Sequence, residues 1–160
     1  MPILTKSGRI VIAESIALRP LHVAWGIGDG AWSAPPSEDS NATTLIQEIG
    51  RRTVTEVGFA SLDPAGDIIL PTGARFVRSV TPTNNLYLRT AFDFSEASGA
   101  VIRQIGVFAG TTFVSGLPSG QQYFSPSEVA TAGRLLHLEN FVPIYRAPAI
   151  RESFEVVITF

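Results

Sequence analysis

Leu86-Tyr87-Leu88-Arg89-Thr90-Ala91-Phe92-Asp93-Phe94 is the stretch that decides the fold. Leu86, Leu88, Thr90, Phe92 and Phe94 alternate with Tyr87, Arg89, Ala91 and Asp93. Successive side chains of a strand point to opposite faces, so this period of two predicts a β-strand with one strongly apolar side. The same signal recurs on both sides of it. Upstream, Leu21–Trp25, Arg52–Leu62 and Arg75–Val80 read as strands. Turns at Asp63-Pro64-Ala65-Gly66-Asp67 and at Pro71, Gly73 and Pro82 separate the later ones. Downstream, Ala100–Ala109, Leu135–Val142 and Phe154–Phe160 read as strands, with Gly106 marking a bulge or a close backbone approach. Residues 110–133 are rich in turn formers and read as loop.

The amino-terminal third is more mixed. Residues 7–18 fit a helix capped by Ser7, with Ile10, Ala13, Ile16 and Ala17 on one face. The β-branched run Ile10-Val11-Ile12 fits a strand instead, and the pattern alone leaves both open. Ser33–Asn41, with two prolines and three serines, is a loop. Thr43 or Thr44 caps a short helix reaching Arg51, with Gln47 closing a capping box. Leu45, Ile46 and Ile49 form its apolar side, and Glu48 pairs with Arg51 on its surface. The prediction is a mainly β chain: one β-sandwich-like domain over residues 1–160, with about seven strands and one or two short helices near the amino terminus.

Composition narrows the function. At 160 residues the chain has enough length for a sizeable core. It is 45% apolar and only 16% charged, a low charge density that predicts surface hidden against copies of itself or a partner. The net charge is −2 and no basic cluster exceeds Arg51-Arg52, which argues against a nucleic-acid footprint. There is no cysteine, so disulfides and thiolate zinc sites are excluded. No apolar run approaches the ~18 residues of a membrane span, and no signal peptide is evident.

No set of residues points to catalysis. His22 and His137 lack metal-ligand spacing, and each reads as an ordinary strand residue. No Gly-x-Ser-x-Gly elbow is present. Asp29, Glu38, Asp39, Glu48 and Asp93 are available to a paired-carboxylate site, but solvated surface acids explain them. Gly26-Ile27-Gly28-Asp29-Gly30 resembles a phosphate loop only superficially, because Ala31-Trp32-Ser33-Ala34-Pro35-Pro36 cannot start the required helix. It reads as a turn in which glycine takes positive φ and Asp29 bonds its own following backbone. No cofactor is expected. Trp25 and Trp32 flank this turn and fit either core or an interface, with Trp32 the better interface candidate. Gln121, Gln122, Tyr123 and Phe124, in a long loop, are interface candidates of the same kind.

A series of short motifs gives a more specific lead. Leu4-Thr5-Lys6-Ser7-Gly8 is followed by Gly28-Asp29-Gly30 and by Thr43-Thr44-Leu45-Ile46-Gln47-Glu48-Ile49-Gly50-Arg51. Then come Ile102-Arg103-Gln104-Ile105-Gly106-Val107-Phe108 and Tyr145-Arg146-Ala147-Pro148. Over about residues 3–150 this order resembles the phage tail-collar fibre family, the amino-terminal attachment domain of tail fibres in contractile-tailed phages. The resemblance implies an opening helix. It also implies fold-determining roles for Gly28, Asp29, Gly30, Thr43, Leu45, Glu48, Arg51, Arg103, Gly106, Phe108 and Tyr145. Gln104 departs from the family, where an acid is common, and residues 111–133 look like an insertion.

The resemblance further implies a non-enzymatic structural subunit of the virion tail or baseplate, made in the host cytoplasm. Its partners would be other baseplate or tail proteins and a tail fibre, and it would form a homotrimer or hexameric ring, without nucleic acid or membrane insertion. A strand running to Phe160 predicts a chain that stops inside the fold, with no shaft. The alternative reading is a small receptor- or glycan-binding module stacking sugars on Tyr87, Trp32 and Tyr123. An envelope-degrading enzyme is a third.

Overall fold

The computed structural model describes residues 1–160. The chain is mainly β, with one α-helix at the amino terminus and twelve strands. It divides into two compact units. Met1–Arg19, Val54–Ala91 and Ser153–Phe160 form the first, and Pro20–Thr53 with Phe92–Glu152 form the second.

The first unit opens with α1, Lys6–Ala17. Thr5 rather than Ser7 is its cap: the Thr5 hydroxyl accepts from the Gly8 amide at 3.1 Å, satisfying one of the free amides of the first turn. Ala13 is buried, and Ile10, Ile16 and Ala17 are half-buried beside it. The unit's sheet is built from β3 (Glu56–Leu62), β4 (Ile68–Ile69), β5 (Arg75–Ser79), β6 (Asn85–Phe92) and β12 (Glu152–Thr159), in the order β12-β6-β3-β5-β4. Leu86, Leu88 and Thr90 are buried as the alternation predicts.

Tyr87, on the opposite face, is also buried. Ala60, Ile68 and Phe76 pack with it into a core, and Arg78 lies over its ring at 3.9 Å. The Tyr87 hydroxyl donates to Glu155 at 2.6 Å. Burial, and then the adjacent Glu155 carboxylate, push the phenol up to about 12. Arg78 also pairs with Glu56, and its hydrogen bond holds that carboxyl below its ordinary value.

The second unit contains β1 (Leu21–Gly26), β2 (Glu48–Thr53), β7 (Val101–Ala109), β9 (Tyr123–Phe124) and β11 (Arg134–Tyr145), in the order β11-β7-β1-β2-β9. The pairs within this sheet are antiparallel. β8 (Thr112–Phe113) and β10 (Val129–Thr131) form a separate two-stranded ribbon.

Two sequence expectations fail here. Arg52–Leu62 is two strands, β2 and β3, because the chain passes from one unit to the other at Val54. Short elements account for the rest of the rise from seven strands to twelve: β4, β8, β9 and β10 have two or three residues, too few to show a period.

The second correction is larger. Thr43–Arg51 is not a helix. Residues 41–47 are irregular, Gln47 takes a φ of 51°, and β2 begins at Glu48. Backbone groups that a helix would pair internally are taken by distant partners. The Ile46 amide donates to Gln104 Oε1 at 2.7 Å. The Ile46 and Gln47 carbonyls accept from the Gly28 and Ile27 amides, both at 3.1 Å. Tertiary hydrogen bonds and burial of Leu45 override a weak local propensity. Thr43 therefore caps nothing and is exposed.

Candidate interface site

The motif residues that the sequence scatters over about 100 positions converge in the second unit. Leu45 packs with Ala24 and Phe108, with Leu135 and Leu138 alongside. Gly106 makes room for this cluster. A Cβ there would stand 2.8 Å from Leu45 Cδ2 and 2.9 Å from Leu135 Cδ1, so Gly106 is a close approach and not a bulge, since its pairing with Ala24 is regular.

Arg51 lies at the edge of the same cluster and is 1% exposed. Nε and NH2 donate to the two Glu48 oxygens at 2.8 and 2.7 Å, and NH1 donates to Thr111 Oγ1 and the Ala132 carbonyl at 2.8 and 2.7 Å. Its guanidinium also lies 4.3 Å from the Phe108 ring centre. The Glu48–Arg51 pair was expected on a helix, where residues three apart are neighbours. In a regular strand they would face opposite sides. Here Trp25 pairs with Gly50 and Gly26 with Glu48, leaving Ile49 unpaired. That bulge shifts the alternation by one and brings both side chains to one face.

The opposite face of the sheet carries the aromatic core. Trp25 is fully buried and stacks on Phe92 at 3.6 Å; it is core, not an interface residue. Tyr123 meets Phe92 edge-on at 6.4 Å and lies directly over Gly50, which has no room for a Cβ. Burial raises its phenol above the ordinary value. Phe124 is also core, on the Arg51 face: it stacks on Phe113 at 3.7 Å and, from β9, pairs with Arg51 of β2. Gln121 is tied to the Tyr123 carbonyl at 2.9 Å and to Glu128 at 3.0 Å. Only Gln122 of these four is exposed, so residues 121–124 are a pinned sheet edge and not a free loop.

His22 and His137 do not converge. His22 is level with Phe108 and His137 with Val107, successive residues of β7 that face opposite sides. His22 is buried against Phe113 and Phe124, at 5.0 and 6.1 Å. Burial, and then the charge of Arg51, lower its pKa from 6.5 to about 4.

Three residues to which the sequence reading gave no structural role hold the rest together. Arg146 is buried, and its guanidinium donates to the carbonyls of Asp93 (2.7 Å), Glu96 (3.1 and 3.3 Å) and Ile150 (2.9 Å). Its neighbour Tyr145, the expected fold position, is 72% exposed. The motif Tyr-Arg-Ala-Pro was visible, but only burial reveals which member anchors. Gln104 and Asn140 form the second link. Gln104 accepts from the Ile46 amide and donates to Asn140 Oδ1 at 2.8 Å, while Asn140 donates to the Pro36 carbonyl at 3.0 Å. The Asn140 backbone N–H also donates to Glu38 Oε1 at 3.0 Å. This relay fastens the middle of the 27–47 connection and its end at Ile46 to β7 and β11.

The connection holds Trp32 at the surface. Asp29 Oδ1 accepts from the Ala31 amide at 2.8 Å and the Asp29 carbonyl from the Trp32 amide at 3.2 Å. Gly28 has a φ of 67°, and a Cβ there would meet Trp32 Cζ3 at 2.9 Å and Arg103 Cβ at 3.0 Å. Glycine is required at that position for both reasons. Gly30 is exposed and meets nothing within 4 Å.

Beside Trp32, β11 bulges strongly. Asn140 pairs with Gln104 and Ile144 with Ile102, so Phe141, Val142 and Pro143 stand opposite the single residue Arg103. β11 is an outer strand, where a proline without an amide is tolerated. The result is a cleft of about 150 Å³ between Trp32, Pro35, Arg103, Phe141, Val142 and Pro143. Val142 is 67% exposed at its rim. A second cavity of about 370 Å³ lies under the connection, lined by Trp32, Thr43, Gln104 and Asn140 among others. The structure thus brings together Trp32 and Arg103, two residues the sequence singled out for different reasons. No helix is long and apolar enough to cross a membrane.

Residues 1–160 match the model of the family described as "Baseplate wedge 3 tail fiber network component", and the chain belongs to that family. It is therefore a component of the phage baseplate and tail-fibre apparatus, located in the virion tail. No curated protein matches the chain.

Proposed function

We propose that this baseplate wedge component is a structural adaptor, joining baseplate and tail fibre through protein contacts and catalysing no reaction. Membership of a tail-fibre network family implies contact with other tail proteins. The observation that carries the finer reading is the Trp32–Arg103 cleft, where two aromatics, two prolines and an arginine meet beside the bulge of an outer strand. Aromatic and arginine side chains dominate the energetics of protein interfaces. Attachment in the manner of tail-collar fibre proteins, with copies arranged as a trimer or a hexameric ring, follows from the sequence resemblance and from the closed symmetry usual for repeated subunits. In this reading residues 1–160 act as one attachment domain made of two compact units. No nucleic acid or cofactor takes part.

The glycan-binding alternative has lost two of its three aromatics. Tyr87 is 1% exposed with its hydroxyl bonded to Glu155, and the Tyr123 ring covers Gly50.

The chain has no cysteine, so one introduced thiol is a clean probe. Ser33 is exposed at the cleft. Ser33→Cys reacts with a maleimide in the free subunit and is expected to be protected in assembled tails. Equal labelling in both states rejects the cleft as an attachment surface. Light scattering behind a sizing column tests the oligomer: a discrete trimer or hexamer supports self-assembly, and a monomer restricts assembly to the particle.

A further inference from the structure

We propose that the Trp32–Arg103 cleft receives a partner protein segment in which an aspartate or glutamate lies next to an apolar side chain, the acid pairing with Arg103. The inference rests on the adaptor reading above and names the chemistry of the partner at that site.

Arg103 carries the argument. It is half-buried, donates through NH1 to the Ile27 carbonyl at 3.2 Å, and forms no ion pair within the chain. Every other buried or half-buried arginine of this unit has its guanidinium committed. Arg51 is matched to Glu48, Arg52 to Glu96, and Arg146 to three carbonyls. A guanidinium has five N–H donors, so Arg103, with one hydrogen bond inside the chain, keeps spare donors at the cleft. Those donors suit a carboxylate bound side-on by two parallel hydrogen bonds.

The remaining walls define the neighbour of that acid. Trp32, Pro35, Phe141, Val142 and Pro143 offer apolar surface, and about 150 Å³ is the size of one apolar side chain rather than a free organic ligand or a sugar ring chain. The bulge opposite Arg103 creates this geometry: three residues in place of one turn the outer strand away from β7 and aim its apolar side chains beside the guanidinium. A purely apolar occupant would leave the arginine desolvated and unpaired, at a cost. A free acid without an apolar neighbour would leave the walls wet. The pair satisfies both.

The test uses assembled particles. Ser33→Cys carrying a benzophenone is incorporated, irradiated, and the cross-linked segment is identified by mass spectrometry. The expected segment has an aspartate or glutamate within two residues of an apolar side chain. A synthetic peptide of that segment should bind the purified protein with an affinity that falls as salt rises. Arg103→Gln keeps an amide donor but removes the charge, and is expected to weaken the peptide roughly tenfold or more and to flatten the salt dependence. Arg103→Lys is expected to retain part of the affinity. Thermal unfolding of each variant shows that the fold is intact.

A protected thiol cross-linked to a segment without an acid, or an affinity unchanged by Arg103→Gln, overturns the acidic-partner proposal while leaving the adaptor reading standing. An unprotected thiol, or a cross-link to glycan alone, overturns both.

Discussion

Gln104 Nε2 donates to Asn140 Oδ1 at 2.8 Å while its own carbonyl oxygen accepts the Ile46 amide at 2.7 Å. One buried side chain thereby uses its donor and its acceptor to connect a loop to the sheet's outer strand. A carboxylate at 104, the residue type common in the resembling family, could accept but not donate. Asn140 would then have to turn its amide toward residue 104, and the Pro36 carbonyl would lose its donor.

Gln104→Glu is accordingly expected to lower stability by about 1–2 kcal/mol. Hydrogen exchange should quicken in residues 33–46 and not in residues 56–62. Unchanged exchange in the connection would show that the relay is not what fastens it.

Arg51 is a different case, because removing it strips partners from several groups together. Arg51→Met leaves Glu48 and Thr111 Oγ1 without their donor and the Ala132 carbonyl with the Thr111 hydroxyl alone. The expected loss is about 3 kcal/mol, read from urea unfolding. The 111–133 segment, held at both ends by NH1, should become the most rapidly exchanging part of the second unit.

Gly106→Ala tests packing without charge. The new methyl would press on Leu45 and Leu135 at under 3 Å, and overfilling of this kind costs about 1–3 kcal/mol. A compensating Leu45→Val in the same chain should recover part of the loss. An additive double variant would mean the two residues do not share the space.

His22 sets an acid limit. Its folded pKa, about 4, lies below the ordinary 6.5, so the unfolded chain binds its proton first as pH falls. The stability of the neutral imidazole is complete above about 6.5 and is lost progressively between 6.5 and 4. A shift of that size corresponds to about 3 kcal/mol. Urea unfolding near neutrality and near pH 4 should show the drop in the native chain, and His22→Leu should reduce it. An equal drop in both proteins assigns the acid sensitivity elsewhere.

Much of the architecture was legible in the residues. β6 and β12 follow from alternation, because the pleat itself imposes a period of two on a strand, and β1, β5, β7 and β11 from short apolar runs bounded by turn formers. Asp29 and Gly28 announced their turn, since few residues tolerate positive φ. The Thr43–Arg51 segment misled for an equally physical reason. Its capping and apolar pattern is local, whereas its backbone partners, Gly28 and Gln104, are distant in the chain.

The candidate site was only partly legible. Trp32 and Arg103 were each singled out, but their adjacency depends on Gly28 allowing close approach and on a bulge at residues 141–143 that no periodicity signals. Trp25, Tyr123 and Phe124 looked like Trp32 in composition, and only their packing separated them: Trp25 stacks on Phe92, Phe124 on Phe113, and Tyr123 covers Gly50. Arg146 and Gln104 look polar and therefore exposed in a sequence, because burial of a polar group is set by the partners that the fold delivers to it.

The sequence by itself determined the β class and most strand positions, which depend on local conformational preference and side-chain period, and the order of motifs that points to a phage tail component and, through that resemblance, to an opening helix. The tertiary structure alone decided that residues 43–51 are not helical, which arginines are spent internally, and that Trp32 and Arg103 share one cleft. Those outcomes depend on hydrogen bonds and contacts between residues tens of positions apart, and no local property of the chain encodes which distant group will arrive.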